Sequence, residues 1–241
     1  VGYGGMRYLE NAVVDAIRTW AAQTPQDARV ELGDVSYTLM GNHLVLKNVR
    51  MTCTTETKDT LSVAVETLDV RNPGTTLLSL LRDPKSEIKE TELPVADEIS
   101  LQNVSFGPEP NITVRLRTFK GVAIETAAVK TLLDTAEGND LKMALAIIYG
   151  LSYEEDAASG VKITSKAMPF ALSTDSAVQK SYAKGHLESS VTNGFVFALR
   201  GQEVLTIGEV RLENMNLPPR DVMKKLYLMD PIETRDRKSV V

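Results

Sequence analysis

Hydrophobic periodicity divides the chain into a few helical stretches and a larger number of strands. Near the N-terminus Met6, Leu9, Val13, Ile17 and Trp20 recur at steps of three and four, which predicts a helix over about 4–23, closed by Thr24-Pro25. From Val30 the period changes to two. Val35, Tyr37 and Leu39 alternate, Gly41-Asn42 makes a turn, and Leu44 starts a return strand, so a hairpin is expected. Leu61, Val63 and Val65 continue the pattern to Val70, before Asn72-Pro73-Gly74 interrupts it. Leu77, Leu78, Leu80 and Leu81 suggest one or two helical turns. Strands resume near Ile88, with one over 99–106 and a long one over 112–124 that has regular alternation. Thr126 and Asn139 are placed to cap two helices, giving a helical insertion over about 126–150. Val161 and Ile163, then Phe195, Phe197 and Leu199, then 204–217 read as further strands. A last amphipathic helix carries Val222, Met223, Leu226 and Tyr227, and 231–241 is a charged tail.

One irregularity recurs within the strands. In LKNVRM (46–51), LQNVSF (101–106) and LENMNL (212–217), a leucine is followed three residues later by the next apolar residue, with asparagine between them. A regular strand puts residues three apart on opposite faces. A β-bulge restores the face by adding one residue, and asparagine tolerates the backbone angles this needs. Asn48, Asn103 and Asn214 are therefore candidate bulge residues. Bulged strands bend a sheet. The expected fold is α+β and mainly antiparallel: a long, curved sheet forming a half-pipe or open barrel, with an N-terminal helix, a central helical pair and a C-terminal helix. It would form a single β-rich domain over 1–230.

Composition narrows the function. The chain has 241 residues and a formal net charge of −5. Its short basic stretch, Arg235 to Lys238, is no basic face, so nucleic acid is not an expected partner. One cysteine, Cys53, read as a small half-buried residue, excludes a disulfide within the chain. With only His43 and His186 besides, both read as surface residues, there is little material for a metal site or a nucleophile–base pair. No dinucleotide fingerprint, P-loop or nucleophile elbow is present. Glu154-Glu155-Asp156 reads as a solvated loop or helix end. No enzymatic activity, cofactor or metal is expected, and no ligand-binding residue can be named. A hydrolase with an unrecognised site stays as a minor alternative.

The strand form apolar-x-Leu-x-Asn-Val-x-apolar, after the hairpin VELGDVSYTLMGNHLVLKNVRM (30–51), resembles AsmA/TamB-type bacterial envelope proteins. EVLTIGEVRLENMNLPP (203–219) and YAKGHLESS (182–190) have the same character. The resemblance implies a periplasmic domain, anchored in the inner membrane by a helix preceding Val1, with curved β-structure that carries lipid. The insertion 125–150 lies outside that pattern, and no functional residue carries over. The expected function is a non-enzymatic, envelope-exposed domain binding a lipid acyl chain or another envelope protein on its sheet. The alternative is a structural or assembly protein whose sheet is fully packed, without a ligand.

Overall fold

The computed structural model describes residues 3–23, 28–54, 60–75, 90–107, 110–134, 140–165, 167 and 169–228. The apolar segment 77–81, the resumption of strands expected near Ile88 and the charged tail lie outside them. Helix α1 (Tyr3–Ala22) precedes strands β1 (Ala28–Glu31), β2 (Val35–Thr38), β3 (His43–Thr54), β4 (Thr60–Pro73), β5 (Glu92–Gly107) and β6 (Asn111–Glu125). Helices α2 (Thr126–Asp134) and α3 (Asp140–Gly150) follow. Then come β7 (Leu151–Thr164), β8 (Phe170–Ala183), β9 (His186–Leu199), β10 (Gln202–Asn216) and α4 (Arg220–Leu228). All strands join one antiparallel ten-stranded sheet in which β3 to β10 lie in chain order. The sheet is curved and does not close. At one edge β1 and β2 each pair half of β3, and at the other β10 pairs β9.

Asn48, Asn103 and Asn214 lie within strands with left-handed φ of 53°, 51° and 52°. The form differs from a one-sided bulge. Lys47 faces Thr67 and Val49 faces Val65, so Asn48 and Glu66 oppose each other and the register does not slip. Each partner strand spends one residue at the same point. The interruption then passes from strand to strand: Asn48, Glu66, Asn103, Arg115, Gly160, Asp175, Gly194 and Gly208 stand in one transverse line. Gly33, between β1 and β2, extends this line, because Glu31 pairs Arg50 and Val35 pairs Leu46. A second line runs through Asn72, Asp97, Gly121, Glu154, Ser181, Glu188 and Asn214.

The two lines lie six residues apart on every strand, as Glu66 and Asn72 show on β4. The strands therefore share a seven-residue unit: NHLVLKN (42–48), ETLDVRN (66–72), DEISLQN (97–103), RLRTFKG (115–121), EEDAASG (154–160), DSAVQKS (175–181), ESSVTNG (188–194) and GEVRLEN (208–214). The last residue of each unit has positive φ, between 48° and 62°. That residue is Asn, Gly or Ser. The first two suit this region because Gly lacks a Cβ and Asn tolerates it. Across the line it usually meets a longer polar residue. Asn72 Nδ2 donates to Asp97 Oδ2 at 2.8 Å, and Asn103 Nδ2 donates to Glu66 Oε2. A Cβ on Gly121 would lie 2.5 Å from Glu154 Cγ, so the glycine leaves room for that side chain.

Because both partners step by three at each line, the third and fifth residues of the unit share a face with apolar residues beyond both lines. That face builds the core. Ile17 of α1 packs with Val35, Tyr37, Leu44, Leu46, Val49, Val65, Val104 and Val114. Val13 and Val14 support it, whereas Leu9 and Trp20, which the helical periodicity places on the same stripe, are exposed. The main strand contacts of α1 are with β1 and β2. The burial of Val104 and Val114, further along the sheet, therefore fits the sheet's own curvature. A smaller core forms where Val129 of α2 covers Leu93 and Ile124.

Two expectations are corrected. Glu154-Glu155-Asp156 is not a loop or helix end but part of β7, and Asp156 is buried. Cys53 is exposed rather than half-buried. The periodicity also gives no sign of β8.

Candidate functional site

The two transverse lines divide the inward face into three strips. Beyond the first line, the row Met51, Val63, Phe106, Ile112, Ile163, Leu172, Phe197 and Leu205 crosses the sheet through successive register pairs. Beside it runs a second row: Val49, Val65, Val104, Val114, Val161, Thr174, Phe195 and Ile207. Fifteen of these sixteen side chains are apolar. Neighbouring strands lie about 4.8 Å apart, so seven spacings make an apolar lane on the order of 34 Å long. On the opposite face, the row between these two carries Arg50, Ala64, Ser105, Thr113, Lys162, Ser173, Val196 and Thr206, which are mostly polar.

The row nearer the first line is covered at one end: Val49, Val65, Val104 and Val114 are buried, whereas in the other row Met51 and Phe106 are exposed at the same end. Towards β10 the residues become half-buried and then exposed, with Leu205 at 48% and Leu199 at 44%. The main helix–strand contacts of the described residues involve β1, β2, β6 and β7, leaving the β8–β10 part of the lane largely uncovered. A cavity of about 400 Å³ opens at the first line beside Asn48 and Glu66, lined also by Glu31, Val49, Arg50, Ala64 and Val65.

The middle strip is apolar on β3 to β5, with Leu44, Leu46, Leu68, Val70, Ile99 and Leu101, and turns polar on β6 to β9. Arg117 donates to Asp156 through Nε (3.1 Å) and Nη2 (2.7 Å). The pair joins β6 and β7 and keeps a buried carboxylate compensated. The hydrogen bond to Asp156 raises the Arg117 pKa, against an opposing effect of burial. The guanidinium lies 4.6 Å from the centre of the Phe119 ring. In the third strip Tyr153 stacks on Tyr182 with ring centres 5.1 Å apart, and its hydroxyl donates to Gln179 Oε1 at 2.7 Å. Burial first, then the charge of Asp156, pushes the Tyr153 pKa up to about 12, so the phenol is a neutral donor near pH 7. The cluster ties β6, β7 and β8 together.

The candidate residues named from the sequence do not form one pocket. Asn48 and Asn103 stand on the first line, at the border of the lane, and Asn214 on the second, between the middle and third strips. His43 is half-buried with Nε2 2.9 Å from Asp69 Oδ2, and exposed His186 lies 2.9 Å from Asn216 Oδ1. Among the described residues there is no cluster of potential metal ligands, and no helix is long and apolar enough to cross a membrane. Apart from Leu172 and Thr174 of β8, the lane residues were visible as separate alternations, but only the register joins them into a path. No protein-family model matches the chain, and no curated protein matches it in sequence.

Proposed function

We propose that this protein is a non-enzymatic domain that holds the acyl chain of a lipid along the apolar lane of its sheet. One observation carries the reading: apolar side chains follow one another across eight strands on one face, and among the described residues the main helix contacts leave the β8–β10 end of that path uncovered. A flexible hydrocarbon suits such a surface because it needs no directed hydrogen bonds, and its burial contributes roughly 25 cal/mol per Å² before association costs. Ligand and lane would meet through side chains alone.

The resemblance of the repeated asparagine strands to AsmA/TamB-type proteins supports a periplasmic setting, with the chain anchored in the inner membrane through a segment preceding Val1. On this reading lipid, or another envelope protein, is the partner, and no cofactor takes part. A second reading, a structural or assembly protein with a packed sheet, draws support from the buried cluster of Val49, Val65, Val104 and Val114. The exposed β10 end favours the first.

Native mass spectrometry and lipid extraction of protein purified from bacterial membranes and periplasm test the proposal. The expected result is co-purifying lipid that is lost in Leu172→Asp. Reproducible absence of lipid, together with failure to take up added fatty acid, overturns it.

A further inference from the structure

The edge strand β10 ends the sheet without ending its pattern. No described strand pairs with its outer side, and none of its residues is buried. Both transverse lines nevertheless reach it, at Gly208 and at Asn214, whose φ is 52°. From strand to strand between β3 and β10, a left-handed residue faces an ordinary residue of the seven-residue unit; only at the turn before β3 does left-handed Asn42 meet left-handed Asn72. A strand added to β10 must therefore place a left-handed residue opposite Gly208 and an ordinary one opposite Asn214.

We infer that a second copy of this chain meets the requirement, through antiparallel β10–β10 pairing about a two-fold axis at Arg211. Gly208 then faces Asn214 of the other copy, and Asn214 faces its Gly208, so both lines continue across the junction. The same register sets Val210 against Leu212 and Ile207 against Met215 on the inward face. A two-fold axis normal to the sheet keeps that face common to both copies, so their apolar lanes become continuous. On the outer face the register sets Arg211 directly against Arg211 and Glu209 against Glu213 of the other copy; these like-charge pairs weaken the contact, and the Arg–Glu pairs on the diagonals offset part of that cost. The β1–β2 edge cannot supply the strand: its crossing residue, Gly33, lacks the left-handed φ needed opposite Gly208. The contact is thus self-complementary and closes at two copies rather than growing into a fibre. It stands independently of the lane's ligand.

Sedimentation of the full chain from micromolar to submillimolar concentration, with cysteine cross-linking in a Cys53→Ser background, tests the pairing. Residues directly opposed across antiparallel strands have Cβ atoms about 4.5–5.5 Å apart, close enough for a disulfide after small adjustment. The expected result is a dimer that Arg211→Cys links to itself on mild oxidation. Glu209→Cys and Glu213→Cys should link when mixed but not separately. A chain that stays monomeric throughout the range overturns the inference, as does a dimer in which neither the Arg211→Cys pair nor the mixed pair links.

Discussion

Replacing Asn103 tests the backbone device at the border of the lane. Its φ of 51° is costly for any residue with a Cβ, by about 1–2 kcal/mol, although asparagine bears the cost better than most. Its side chain also donates to Glu66 at an exposed position, a hydrogen bond contributing about 0.5–1 kcal/mol. Asn103→Gly loses the hydrogen bond and adds freedom to the unfolded chain, but removes the backbone strain, for a net loss of about 1 kcal/mol. Asn103→Ala loses the bond and keeps the strain, for about 2 kcal/mol. Asn103→Val adds β-branching in a region that branched residues avoid, for about 3 kcal/mol. The control is Gln102→Val, one residue earlier on an exposed, ordinary strand position, where β-branching is neutral or favourable. Urea unfolding followed by circular dichroism reads the series. With an m-value of about 2 kcal/mol/M, the Gly and Val variants should differ by about 1 M in midpoint. If Asn103→Val is as stable as Asn103→Gly, the left-handed crossing is wrong.

Arg117→Ala should cost about 2–4 kcal/mol in urea unfolding, because buried Asp156 loses its partner while the arginine itself is part-exposed; Arg117→Met with Asp156→Leu should recover most of the loss. Tyr153 keeps its proton in the folded state above its unfolded value of 10.0, so the stability it contributes is present below pH 10 and falls as the pH rises towards 12. Urea midpoints across that window should drop more steeply for the native chain than for Tyr153→Phe. Gly121→Ala should cost about 2 kcal/mol or more, since its φ is 59° and a Cβ would strike Glu154; adding Glu154→Ala should recover part of the loss by removing the clash.

The antiparallel, helix-decorated sheet was legible because most strands alternate cleanly and their turns use Asn, Gly and Pro. Three of the eight crossings were legible because leucine and asparagine flank them. The others were hidden by chemistry that serves the same geometry: glycine at Gly121, Gly160 and Gly194, serine at Ser181, and a proline directly after Asn72. Strand β8 escaped notice because its inward residues in the middle strip, Ala177 and Gln179, carry little apolar contrast. Asp156 looked solvated beside two glutamates, since its partner Arg117 lies 39 residues away in the chain. The lane itself was illegible, because it runs across strands and depends on a register that local alternation does not specify.

The most direct measurement follows the side-chain methyl groups of the protein by NMR while a fatty acid is added. The account predicts shifts and intermolecular contacts at Ile112, Ile163, Leu172 and Leu205, with Val178 and Val191 on the opposite face unchanged. Contacts on Val178 and Val191, or no response along the lane at saturating fatty acid, would contradict it.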